Sequence, residues 1–216
     1  MNTNITELVF ILDRSGSMHG LEADTMGGFN SLIEKQKKET GKAYVTTVLF
    51  DTSIERIHDR MDIDAVPPLT AKEYIPGGCT ALLDAIGTTI KHIVNIHRYA
   101  REEDVPGKTF FVNTTDGLEN ASRLYSLDTI KRMIEHESEK YGWVFLFLGA
   151  NIDAIETAGH LGIQADRATN FMPDGAGVEL SFRSVARAVS SARCNMPMAS
   201  DWKQEVEEDY KKRSKE

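Results

Sequence analysis

The chain has little of what would place it in an oxidising compartment. Its 216 residues include two cysteines, Cys79 and Cys194, far apart in sequence. No framework of paired thiols is available, and a chain of this length buries a sizeable core without one. Long apolar runs are missing as well: nothing approaches the roughly 20 residues that cross a bilayer. The run at 8–12 is short, ends at Asp13 and follows no basic segment, so it does not read as a signal core. Nor is there an excess of positive charge. Lys and Arg number 25 against 33 Asp and Glu, a net charge of −8, which repels nucleic acid and anionic membrane over most of the surface. The expectation is a cytoplasmic protein with neither of those partners. Catalytic signatures are absent too. There is no Gly-x-Ser-x-Gly elbow, no dinucleotide Gly-x-Gly-x-x-Gly and no Walker loop, and the six histidines show no His-x-x-x-His spacing.

What is present is an alternation of apolar runs and amphipathic stretches. Residues 7–12, 109–112 and 143–148 are continuous apolar runs that suit strands buried on both faces. Residues 43–50 are rich in β-branched and aromatic side chains, and a turn at 51–53 leads into a more polar strand through Ile54 and Ile57. That pair reads as a hairpin with its polar member at a sheet edge. Leu82, Leu83, Ile86, Ile90, Ile93 and Val94 form one helical stripe. Weaker stripes fall around 26–33, 127–134, 152–158 and 178–189, and a short last strand fits 168–172. Gly27-Gly28 inside the first stripe marks either a helix break or a point of close packing.

Strands alternating with helices predict an α/β, Rossmann-like three-layer sandwich. Its central sheet is mainly parallel with one antiparallel edge strand, and helices cover both faces. The domain is expected over residues 1–195. The charged stretch 196–216 reads as a tail, helical or disordered.

In such folds ligands sit beyond the carboxyl ends of the strands. Three polar, glycine-containing loops fall there or open a helix: Asp13-Arg14-Ser15-Gly16-Ser17, Gly77-Gly78-Cys79-Thr80 and Thr114-Thr115-Asp116-Gly117. Together they offer two carboxylates and three hydroxyls, with no thiolate or imidazole. An all-oxygen set suits a hard cation such as Mg²⁺ or Mn²⁺. Taken singly, Asp13, Ser15 and Ser17 make an ordinary polar turn, Thr80 a helix N-cap and Asp116 an Asp-Gly turn.

Taken in order, Asp13-x-Ser15-x-Ser17, Thr80 and Asp116 resemble the metal-ion-dependent adhesion site (MIDAS) of the von Willebrand factor type A (VWA), or integrin I-domain-like, family. The likeness covers roughly residues 5–190. The stretches Gly-Cys-Thr-Ala-Leu-Leu-Asp-Ala and Thr-Thr-Asp-Gly-Leu-Glu-Asn further resemble small intracellular VWA proteins of bacteria and phages. The resemblance implies that Ser15 and Ser17 ligate Mg²⁺ or Mn²⁺ directly. It places Thr80 on the ion directly or through water, and Asp13 and Asp116 largely through water. Neutral hydroxyls quench little of the ion's charge, so it would seek an outside acid. The implied function is a non-enzymatic, metal-dependent protein-binding module completed by a partner's Asp or Glu. The competing readings are a metal-assisted, phosphoesterase-like hydrolase and a structural VWA subunit with a vestigial site. Arg14, Met18, Glu119 and Asn120 flank the constellation as a candidate partner-binding rim. Cys79 reads as a small packed side chain, and Arg183, Arg187 and Arg193 as a solvated helix face.

Overall fold

The computed structural model describes residues 1–194 and 196–214. Six strands form one sheet: β1 (Asn2–Asp13), β2 (Lys42–Phe50), β3 (Ile54–Asp62), β4 (Pro106–Thr115), β5 (Val144–Gly149) and β6 (Ala168–Asn170). Their spatial order is β3-β2-β1-β4-β5-β6. Only β3 runs antiparallel, paired with β2 at the edge, and every other neighbouring pair is parallel. The helices are α1 (Glu22–Lys37), α2 (Leu82–Tyr99), α3 (Leu127–Tyr141), α4 (Ala154–His160), α5 (Gly175–Arg193) and α6 (Gln204–Arg213).

The period-2 alternation of a strand sorts the core into two halves. On β1, Leu8, Phe10 and Leu12 pack with α1, α5 and α6. Val9 and Ile11 point the other way, toward α2, α3 and α4. The same split divides Phe110 and Val112 from Phe111, and Leu146 and Leu148 from Phe145 and Phe147. A sheet covered on both faces explains why these strands read as unbroken apolar runs. The expected three-layer sandwich, mainly parallel with one antiparallel edge, is the observed one. Among the described residues no helix is long and apolar enough to cross a membrane.

The charged C-terminal stretch contains α6, and Val206 within it and Trp202 just ahead of it are in the core. Arg193 corrects an expectation. It is buried, not solvated, and its guanidinium donates to the carbonyls of Gln36 at 2.5 Å and Gly41 at 2.9 Å, just where α1 ends. It adds a charged donor at the C-terminal end of α1, where the helix carbonyls carry partial negative charge.

Helix α1 runs unbroken through Gly27-Gly28, so the pair is not a break, and its two members differ. A Cβ at Gly28 would lie 2.4 Å from Phe182 Cδ2 and 3.2 Å from Phe182 Cβ, whereas one at Gly27 would meet nothing within 4 Å. Gly28 is what lets α1 and α5 approach. Gly28→Ala is expected to cost about 1–3 kcal/mol by overpacking. Gly27→Ala is expected to gain about 0.5–1 kcal/mol from helix propensity. Urea unfolding of the two variants checks both signs, and equal effects would remove the close-packing role.

Candidate metal centre

The parallel pairing of β1 and β4 places Asp13 and Thr115 at neighbouring strand ends. Past these ends the backbone can no longer continue the ladder, so side chains take over. Asp13 Oδ1 accepts the Ser15 N–H at 2.7 Å, and Oδ2 accepts the Thr115 hydroxyl at 2.5 Å. The Ser15 and Ser17 hydroxyls lie 3.1 Å apart, and the Ser17 hydroxyl donates to Asp116. The 3-10 turn Gly16–Met18 produces this close spacing.

The third loop is drawn in by its backbone. Gly77 N–H donates to Arg14 C=O at 2.9 Å, and Gly16 N–H donates to Gly78 C=O at 3.2 Å. Gly78 has φ +69°, a left-handed conformation that glycine adopts without strain. A Cβ added at Gly117 would sit 3.3 Å from Thr80 Oγ1 and 3.4 Å from Ser17 Oγ. That single point therefore brings together the loops carrying Ser17, Thr80 and Asp116. The five side chains expected from the sequence gather at one place.

The electrostatics leave a deficit of positive charge. Asp13 and Asp116 are 1% and 3% exposed, and neither has an ion-pair partner among the described residues. Burial holds both carboxyls above the ordinary aspartate range, and the neighbouring Asp116 charge adds to the effect on Asp13. Among the described residues no hydrogen bond reaches the Thr80 hydroxyl. Buried carboxylates without a counter-ion, beside the Ser15, Ser17 and Thr80 hydroxyls, fit a divalent cation. Among the described residues no group of three or more His, Cys, Asp and Glu is placed to hold a metal ion.

Thr80 is not the N-cap of α2. That position is Ala81, and Thr80 instead exchanges backbone bonds with the loop after β4: its N–H donates to Asn120 Oδ1 and its C=O accepts from Asn120 and Ala121. Cys79 is exposed, not packed.

The flanking residues divide. Met18 is a correction: it is 1% exposed and belongs to the core, because the 3-10 turn directs it inward. Arg14 is tied down by Asp51 Oδ2 at 3.1 Å, Glu55 Oε2 at 2.8 Å and Glu73 C=O at 3.1 Å. Glu119 accepts the N–H groups of Leu83, Ala121 and Ser122. It works with Asn120 to fasten the loop after β4 to the start of α2. These contacts hold together the loops that carry the cluster.

Three residues not anticipated from the sequence support it. Thr115 holds Asp13, the buried Tyr74 hydroxyl donates to Asp13 C=O, and Asp84 accepts N–H bonds from Arg123, Leu124 and Tyr125 at 2.8–3.0 Å. Asp84 left a trace, being a carboxylate within an apolar first turn. Tyr74 left none.

The sequence matches no family model and no curated protein. Its fold has many solved counterparts at low identity. A von Willebrand factor type A protein from Catenulispora acidiphila aligns over 86% of this chain and 43% of its own, with a TM-score of 0.59 and 16% identity. Proximal thread matrix protein 1 from the mussel byssus, solved with a zinc-occupied MIDAS motif, aligns over 86% and 46%, with 0.58 and 15%. The von Willebrand domain of a type V pilus tip protein from Porphyromonas gingivalis aligns over 85% and 94%, with 0.60 and 11%. The chain thus spans less than half the length of the first two and nearly all of the third.

Proposed function

From a chain that has the von Willebrand factor type A fold, we propose a metal-dependent protein-binding module whose cation is completed by an acidic side chain of its partner. The observation that carries this reading is the convergence of Asp13, Ser15, Ser17, Thr80 and Asp116, with two buried carboxylates lacking a counter-ion. The hydroxyls of Ser15, Ser17 and Thr80 would hold Mg²⁺ or Mn²⁺, with Asp13 and Asp116 behind them. The ion would supply an electrophilic point for an external carboxylate. A zinc-occupied site of this kind in the mussel protein supports metal binding in general, and the all-oxygen donor set favours the harder ions.

Asp13 is held at both oxygens, so it is positioned before any ion arrives and loses little freedom on binding. The surroundings also favour a protein ligand. Leu118 and Ile75 are 66% and 63% exposed. They lie in the loops that carry Asp116 and Thr80, where a partner's apolar side chains would cover them. Hydroxyls, carboxylates and backbone groups make up the cluster, and among the described residues no imidazole or ammonium bonds to it.

The test is affinity capture on immobilised protein from lysate, with Mg²⁺ or with EDTA. A partner is expected to be retained by the wild type only with metal, and to return when Mg²⁺ is restored. Retention unchanged by EDTA sinks the metal-completed reading.

A further inference from the structure

Helices α1 and α5 lie side by side with the same polarity. At their first turns a Cβ on Gly175 would come within 2.7 Å of Asp24 Oδ1. Near their last turns Gln36 Nε2 donates to the Ala186 C=O at 3.0 Å and to the Ser190 hydroxyl at 2.8 Å. Between them runs a groove of about 420 Å³, floored by Gly27, Leu32 and Phe182. The metal cluster makes no use of it.

Gly27 is exposed within the helix, and a Cβ there would meet nothing within 4 Å. Glycine costs a helix interior about 0.5–1 kcal/mol relative to alanine, and nothing inside this chain needs the space it leaves. A second backbone passing close by would need it.

The charges along the groove are sorted by sign. Asp24 and Glu179 stand toward its start, Lys35 and Arg183 toward its end. Arg183 is already engaged by Glu205 at 3.0 Å, and the neighbouring Glu34 by Lys37 at 2.8 Å. Asp24, Glu179 and Lys35 have no ion-pair or side-chain hydrogen-bond partner among the described residues. An occupant must therefore be slim, acidic against Lys35 and basic against Asp24 and Glu179.

Helix α1 itself meets that description. Its first turn carries Glu22 and Asp24, its last turn Lys35 and Lys37, and its outward stripe Ala23, Gly27 and Ser31 has no bulk. Laid antiparallel over the groove of a second copy, it brings unlike charges together at both ends, and the two helix dipoles oppose. A twofold axis makes the contact occur twice, each α1 seated over the other copy's groove. The net charge of −8 works against self-association. At physiological ionic strength, however, the screening length is about 8 Å, which leaves the contact pairs to decide.

We propose that two copies of this chain pair through α1 about a twofold axis, the helices antiparallel, with Lys35 of each copy against Asp24 and Glu179 of the other. The contact is independent of the metal cluster.

The experiment is sedimentation equilibrium of the full chain in EDTA, which removes any association made through a cation. A monomer–dimer equilibrium is expected at concentrations up to about 300 µM, the range of a small interface. Gly27→Gln puts a side chain into the groove where the single copy has open space. It should weaken dimerisation at least about tenfold, or about 1.4 kcal/mol, while thermal unfolding of dilute protein stays unchanged or improves. Lys35→Glu should weaken it similarly, and adding Asp24→Lys and Glu179→Lys to that variant should restore it. A monomer throughout the range overturns the proposal. So does a dimer indifferent to Gly27→Gln, or a Lys35→Glu loss that the two compensating changes do not recover. If the triple variant fails to fold, Gly27→Gln decides alone.

Discussion

Asp116→Ala is expected to weaken Mg²⁺ and Mn²⁺ binding by about 10- to 100-fold, as calorimetry would read it. The reason is electrostatic. Asp116 is one of two buried carboxylates at the cluster, and it accepts the Ser17 hydroxyl. Without it the ion loses half of the local negative charge and the bond that orients Ser17. Metal at a hundred times its dissociation constant stabilises the wild type by about 2.7 kcal/mol through mass action. A hundredfold weaker variant at the same metal concentration gains less than about 0.5 kcal/mol. The metal-free variant should be no less stable than the metal-free wild type, because burial disfavours the Asp116 charge and Ser17 is exposed enough to turn to water. Acidification should weaken binding to the wild type, since protons taken up by the two carboxyls must be displaced by the ion. Equal metal affinity in wild type and variant would remove Asp116 from the site and the metal-dependent function with it.

Trp202→Ala should cost about 3–5 kcal/mol, the range for removing a large aromatic from a core. Set against a domain stability of about 5–15 kcal/mol, that is enough to leave some of the chain unfolded. Trp202 is 1% exposed, packs with the α1 and α5 side of the sheet, and donates its indole N–H to Asp166 C=O at 2.8 Å. Loss of the side chain opens a cavity beside α5 and leaves that carbonyl without its donor. A second tie holds the end of α6: Arg213 pairs with Asp174, the N-cap of α5. By contrast, Lys211→Ala removes only a 3.9 Å surface pair with Glu207 and should stay within about 0.5 kcal/mol. Chemical denaturation of both variants separates an integral segment from a trailing one. A Trp202→Ala variant as stable as Lys211→Ala would show α6 to be an ornament on the surface.

The different visibility of these two regions in the sequence has a physical cause. A parallel sheet buried on both faces leaves apolar runs that no other arrangement explains as well, so 7–12 and 143–148 announced their strands. The candidate metal-site residues lie in polar loops after β1 and β4 and ahead of α2, and a polar, glycine-containing loop is a local pattern. The C-terminal stretch is dominated by charge, and one tryptophan among many charged residues does not form a periodic stripe. Its burial depends on a groove made by distant elements. Arg193 misleads for the same reason, because the carbonyls that claim it belong to the end of α1. Met18 sits within the polar loop by sequence and within the core by the turn of the chain.

By itself the sequence determined the layer order of helices and strands and the antiparallel edge, which follow from local periodicity and adjacency, and it pointed to the five oxygen-bearing loop residues through their order along the chain. Only the tertiary structure decided how they are held and what else is built. Thr115 and Tyr74 brace Asp13, Gly28 admits Phe182, and Trp202 closes the core. Each of those depends on which distant group fills the space beside it, and burial converts an ordinary side chain into a constrained one only when that neighbour is in place.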